Sequence, residues 1–256
     1  LTEPGNGSDS VAMRTTYRRD GDSYVLNGSK CFVTNGQEAS VYIVFATKDR
    51  ALGAKGISAF IVERGTPGLT VGKHEDKMGL RLSNTTDVAL DEVRVPADCL
   101  LGEEGKGMHI ALAGLDAGRL NNAAIATGIC RAALDAAVDY AKQRTSFGVP
   151  IIRHQAIQMM LADMAIQTEA AKLLVYNGMQ VLDAGKKASK EASMAKAFCG
   201  DAAVQVATNA VQVFGGYGYS KEYPVEKMMR DSKIFQIFEG TNQIQRIVIA
   251  RELEKE

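Results

Sequence analysis

The sequence predicts an α+β protein, with a β-barrel or sandwich over residues 1–101 and a four-helix bundle over 102–256. Three observations carry this. Short β-rich runs broken by turn residues fill the first part of the chain. Apolar residues then recur three or four apart over long stretches. Between the two textures lies Gly102-Glu103-Glu104-Gly105-Lys106-Gly107, a polar joint rich in glycine. A chain of 256 residues is long enough to bury two ordinary cores.

The strands come first. Tyr24-Val25-Leu26 and Ser29-Lys30-Cys31-Phe32-Val33 flank Asn27-Gly28, a dipeptide favoured in tight hairpins, and predict a hairpin there. Val41 to Ala46 and Ile57 to Val62 predict two short strands, and Asp87 to Val95 one or two more before Pro96. Gly53, Gly56, Gly65, Pro67 and Gly68 mark the turns.

Four helices follow. The first shows a stripe of Ala123, Ala126, Cys130, Leu134, Ala137 and Ala141. The second carries Ile157, Leu161, Met164, Ala171, Leu174 and Leu182, and the third Ala192, Ala195, Phe198, Ala202, Val206, Ala210 and Val213. The fourth begins around Thr241 with Ile244, Ile247, Val248 and Arg251. Small residues on the first and third stripes permit close packing.

Composition excludes several classes. Thirty basic residues balance thirty acidic ones, so no basic face is expected for nucleic acid or a membrane surface. No apolar run is long enough to enter and cross a bilayer. Cys31, Cys99, Cys130 and Cys199 lack paired spacing and read as buried thiols of a reducing compartment. His74, His109 and His154 are far apart, so no metal site is expected. The chain opens on Leu1-Thr2-Glu3-Pro4 without an initiator Met or signal peptide. It reads as a fragment, and an absent N-terminus has room for a targeting signal.

The stretch with most chemical promise is Gln236-Ile237-Phe238-Glu239-Gly240-Thr241-Asn242-Gln243. An apolar run before Glu239 can partly desolvate its carboxylate and make it a stronger base. Gly240 lets a ligand approach the backbone, and a polar helix start can hold a phosphate or hydroxyl. An ordinary helix N-terminus with a favourably placed acid fits the same residues. The opening loop, with Gly5, Gly7 and Ser8, exposes amides to a ligand or is a surface turn. Arg144-Thr145-Ser146 with His154-Gln155 can bind pyrophosphate or cap helices. Asp116 and Arg119, three apart, can simply pair. Phe214-Gly215-Gly216 stops a helix. No G-x-G-x-x-G strand–helix fingerprint supports a nicotinamide site.

Seven motifs in order resemble the acyl-CoA dehydrogenase family, most closely its short-chain, butyryl-CoA type. They are Leu1-Thr2-Glu3-Pro4 with Gly7-Ser8-Asp9, Phe32-Val33-Thr34-Asn35, Lys73 with Glu75-Asp76-Lys77-Met78-Gly79, Leu115-Asp116-Ala117-Gly118-Arg119, Arg144 with Phe147-Gly148, Phe214-Gly215-Gly216-Tyr217-Gly218, and Phe238-Glu239-Gly240-Thr241. The resemblance implies a middle β domain, a C-terminal helical bundle and FAD between them. It assigns Leu1, Thr2, Gly7, Ser8, Phe32, Val33, Thr34, Thr241, Asn242 and Gln243 to flavin contacts. It assigns Arg144, Thr145, Ser146, His154, Gln155, Gln212, Val213, Phe214, Gly215 and Gly216 to the nucleotide half. Some of these contacts cross to a second copy, so a homodimer or homotetramer is implied. Ser8, Asp116, Ala117, Gly118, Arg119 and Gly240 fall along the acyl-CoA substrate.

The implied activity is α,β-dehydrogenation of a short-chain acyl-CoA to a trans-2-enoyl-CoA, a step of fatty-acid β-oxidation. Glu239 is the implied catalytic base, and electron-transfer flavoprotein the implied electron acceptor. Isovaleryl-CoA dehydrogenases place the base just before the Arg of Leu-Asp-x-x-Arg, and here that position is Gly118, which cannot ionise. An acyl-CoA oxidase using oxygen is the alternative within this chemistry, and a non-catalytic assembly module the alternative outside it. The family's N-terminal helical domain has no counterpart here, and Phe238 and Phe32 stand where Tyr and Trp are commoner. The implied setting is the bacterial cytoplasm or the mitochondrial matrix, with the cytoplasm favoured.

Overall fold

The computed structural model describes residues 1–255. It divides into two compact units, Leu1–Gly114 and Leu115–Glu256. The first holds seven strands: β1 (Thr16–Asp20), β2 (Ser23–Thr34), β3 (Val41–Thr47), β4 (Ile57–Glu63), β5 (Leu69–His74), β6 (Thr85–Pro96) and β7 (Leu100–Leu101). They form one sheet in the order β5-β6-β2-β1-β3-β4-β7. Every pairing is antiparallel except β1 with β3, which meet in parallel at Thr16 and Thr47. Alternating residues supply a core around Tyr17, Tyr24 and Phe60, whose rings meet at 4.9 to 5.8 Å. Leu69 and Val71 of β5 and Leu100 of β7 pack against the same cluster, so it touches both ends of the sheet.

The expected hairpin at Asn27-Gly28 does not exist. β2 runs straight through both residues, and its register against β6 shifts between Leu26 and Gly28. The dipeptide makes a bulge instead of a turn. Asn27 Oδ1 accepts the Glu92 N–H at 2.8 Å, and a side-chain Cβ at Gly28 would lie 2.6 Å from Thr15 Cα. Glycine is there for close approach. The true hairpin turn is Gly21-Asp22, between Asp20 and Ser23, with Gly21 at φ +60. β6 is one strand, not two. β1, β5 and β7 carry mostly exposed or half-buried residues and leave little apolar alternation to read.

The helices are α1 (Gly107–Gln143), α2 (Gln155–Asp183), α3 (Ser189–Phe214), α4 (Val225–Ser232) and α5 (Asn242–Leu253). Four were expected, and the short α4 after Pro224 is additional. Ala123, Ala126, Cys130, Ala137 and Ala141 of α1 are all buried, as are Ala192, Ala195, Ala202, Val206 and Ala210 of α3. Gly178 of α2 makes room for a side chain of α1: a Cβ there would lie 2.4 Å from Leu120 Cδ2. Phe198 departs from its expected stripe and is 37% exposed, while Lys196, two positions earlier, is fully buried. Between α1 and α2 a two-stranded ribbon, β8 (Thr145–Ser146) and β9 (Val149–Pro150), turns at Phe147 and Gly148, both at positive φ.

All four cysteines are free, and burial pushes the Cys130 thiol up to about 12 and Cys199 up to about 11. Neither is a nucleophile at neutral pH. Among the described residues no helix is long and apolar enough to cross a membrane, and no cluster of three His, Cys, Asp or Glu could hold a metal.

Candidate active site

The chain reaches Glu239 from a short 3-10 segment, Lys233–Gln236, anchored by the buried Phe235. Phe238 packs its ring edge against Phe235 at 5.2 Å. The backbone then turns left-handed twice, at Glu239 (φ +55) and Gly240 (φ +85). A non-glycine residue in that region is strained by its Cβ, and such strain collects at functional sites. α5 starts immediately after. Thr241 is its N-cap, with Oγ1 accepting the Ile244 N–H at 3.2 Å.

Two buried side chains hold this turn. Gln245 Nε2 donates to the carbonyls of Glu239 and Gly240, each at 3.1 Å. Lys196 Nζ donates to the Gly240 carbonyl at 2.6 Å and to Asn242 Oδ1 at 3.0 Å. The Glu239 N–H donates to nothing among the described residues. Its carboxylate lies over Gly118 of α1: a Cβ added there would be 3.4 Å from Glu239 Oε2. The expected desolvation by the preceding apolar run is not seen, since Glu239 is exposed and so is Ile237. Phe235 and Phe238 spend their apolar surface on each other.

Beneath Gly118, Arg119 is buried and bonds Asp116 Oδ1 at 3.3 Å and Ser193 Oγ at 3.5 Å. Burial lowers its pKa, with Asp116 and Glu239 acting the other way. Its Nε is buried without a partner. Asp116 Oδ2 accepts the Ser189 hydroxyl at 2.7 Å. The simple pairing of Asp116 with Arg119 is therefore real, and it fixes the floor next to Glu239. Ala117 is exposed.

The other expected residues fall into two groups. Some present free surface. In the first unit, Leu1, Gly7, Ser8 and Thr34 are exposed, Thr2 and Val33 are half-buried, and Phe32 is 66% exposed at φ +54. In the second unit, Arg144, Thr145, Gln155, Gln212, Gly215, Gly216 and Gln243 are exposed. The Arg144 guanidinium sits 5.6 Å from the Tyr217 ring and pairs with no carboxylate among the described residues. Others are already committed. His154 Nε2 bonds the Ser146 carbonyl at 3.1 Å. Val213 and Phe214 are buried, Phe214 stacked on Tyr140 at 4.1 Å, so neither side chain is open to a ligand. Asn242 is buried, donating to Ala197 and Asp201.

The opening loop is fixed by a residue not singled out for chemistry. Glu3 is buried against Lys30, with Nζ–Oε1 at 2.7 Å, and accepts the Arg14 and Thr15 N–H groups at 2.6 and 3.0 Å. Burial works against its ionisation, but the bonds from Lys30, Thr15 and Arg14 prevail and lower its pKa to about 2. Thr2 accepts the Cys31 N–H at 3.0 Å, which lays the loop along β2.

Sequence models of the acyl-CoA dehydrogenase middle domain and C-terminal domain match residues 1–93 and 105–254. The chain belongs to the acyl-CoA dehydrogenase family. It is 55% identical to an acyl-CoA dehydrogenase of Bacillus subtilis, over 99% of this chain and 67% of that protein. It is 51% identical to the mitochondrial short-chain specific acyl-CoA dehydrogenase of Bos taurus, over 100% of this chain and 62% of that one. The butyryl-CoA dehydrogenase structure from Megasphaera elsdenii superposes with a TM-score of 0.97 at 51% identity, over 99% of this chain and 67% of that chain. The chain thus spans about two thirds of the length of these acyl-CoA dehydrogenases.

Lys196, Gln245, Ser189 and Ser193 were not found from sequence. One signal was available for Lys196. It lies four residues after Ala192, on the apolar face of α3, where an unpaired lysine has no ordinary reason to be.

Proposed function

We propose that this chain carries the catalytic base of an FAD-dependent dehydrogenase acting on short-chain acyl-CoA thioesters. The observation that carries the reading is the Glu239 turn: an exposed carboxylate over Gly118, with its own N–H left free. Glu239 takes the α-proton of the thioester. Negative charge then develops on the thioester oxygen, and the free Glu239 N–H is a donor for it. One such donor is typically worth about 3 kcal/mol, and a positioned base about 10²–10⁴-fold. Gly118 offers no second acid, so base duty rests on Glu239 alone.

The residues fit a flavin dinucleotide. Phe32 is a flat aromatic face held outward by a left-handed backbone, and Arg144 is a cation that meets no carboxylate among the described residues and so can serve a phosphate. Thr241 and Gln243 sit at a helix start, and the opening loop shows Gly7 and Ser8 to solvent. When bound, FAD would accept the β-hydride and give the trans-2-enoyl-CoA. Ser8, Asp116, Ala117, Arg119 and Gly240 then border the acyl-CoA, with a copy of the chain and electron-transfer flavoprotein as partners. The domain division proposed is 1–101 and 102–256.

The test is optical. Purified full-length protein is expected to be yellow and to lose its flavin absorbance anaerobically on adding butyryl-CoA. Unchanged absorbance would contradict the reading, and peroxide release in air would favour an oxidase over the dehydrogenase.

A further inference from the structure

Lys196 is 1% exposed on α3, and among the described residues no carboxylate lies within ion-pair distance of it. Isolated ammonium groups are expensive to bury, so a lysine kept in such a place must return something. Its two bonds go to the Gly240 carbonyl and to Asn242 Oδ1. The Gly240 carbonyl is shared with Gln245, which is fully buried on α5 and also holds the Glu239 carbonyl. A neutral amide therefore already reaches both carbonyls. The ammonium adds a charged donor, roughly twice as strong. Opposing it is a left-handed non-glycine residue, a conformation that costs about 1–3 kcal/mol.

We infer that Lys196 and Gln245 are positioning residues for Glu239: buried on two different helices, they pin the carbonyls of its left-handed turn and so keep the carboxylate over Gly118. This inference rests on Glu239 being the base. Three charged groups act on Lys196: Glu239 and Asp201, which favour its proton, and Arg119, which opposes it. Asp201 is tied to Arg246, Asn242 and Gln236, which leaves Glu239 as the acid without an ion-pair partner. Burial is the largest influence and lowers the Lys196 pKa to about 8.

The clamp has a readout independent of turnover. The sequence has two Gly–Thr steps, Gly240-Thr241 and Gly65-Thr66. Carbonyl-labelled glycine with ¹⁵N-threonine therefore isolates the Gly240 carbonyl and supplies an internal control. In the wild-type chain the Gly240 signal should titrate with a midpoint near pH 8 while Gly65 stays flat. Carboxylates and guanidinium groups ordinarily keep their charge across pH 7–10. A Gly240 signal that neither titrates between pH 7 and 11 nor moves in Lys196→Met would overturn the inference. In the full-length enzyme, Lys196→Met should lower kcat about tenfold or more with little change in KM, because a base displaced by about 1 Å costs up to ~10²-fold. Lys196→Arg should recover part of the loss. Normal kcat in Lys196→Met beside a dead Glu239→Gln would sink the clamp and leave the base standing. Normal turnover in Glu239→Gln would remove the base reading, while the carbonyl titration still tests the clamp.

Discussion

Among the described residues two lysines are buried, one in each unit, and they are buried for different reasons. Lys30 meets Glu3 at 2.7 Å, and both side chains are 4% exposed. Every strong acceptor on Glu3 is used, so the pair is closed and holds the opening loop. Lys196 has no such partner and spends its charge on a backbone carbonyl beside Glu239. A closed pair neutralises itself, whereas an open cation leaves its balance to the groups around it. The comparison separates a residue that keeps a loop folded from one that aims a side chain.

The largest expected effect comes from breaking the closed pair. Lys30→Met leaves the Glu3 carboxylate buried without its cation and should cost about 3–5 kcal/mol, read as a lower denaturation midpoint. The same pair predicts an acid limb. Glu3 has a folded pKa of about 2 against an ordinary 4.5, so its contribution is present above pH 4.5 and is lost as pH falls through about 2. Lys196 predicts the opposite limb. Its folded pKa of about 8 lies below the ordinary 10.5, so its burial weighs on stability most below pH 8, and stability rises between pH 8 and 10.5. Chemical denaturation across pH should resolve both limbs, and Lys196→Met should remove the alkaline one alone. The smallest effect is at the helix start. Thr241→Ala removes the cap on Ile244 and should cost about 1 kcal/mol, with no change in either limb.

Much of the fold could be read from residues whose pattern is strong. The alanine stripes of α1 and α3 located long helices because close packing admits only small side chains. Asn27-Gly28 misled because a bulge and a hairpin ask for the same residues, and only the contact with Thr15 distinguishes them. Short α4 and the half-exposed β1 and β5 carry too little periodicity to be seen. Glu239 was singled out through its register with six other motifs, not through its apolar neighbours, which turn out to face Phe235 or solvent. Lys196 acts through bonds to groups 44 and 46 residues along the chain, and Gln245 through carbonyls five and six residues before it, and spacing alone does not announce such pairs.

In the proposed reaction Glu239 is the group that removes the α-proton. The most direct measurement is acyl-CoA turnover by Glu239→Gln in the full-length protein, at flavin content matched to wild type. Turnover about 10²–10⁴-fold below wild type is the predicted result. Turnover close to wild type would contradict it.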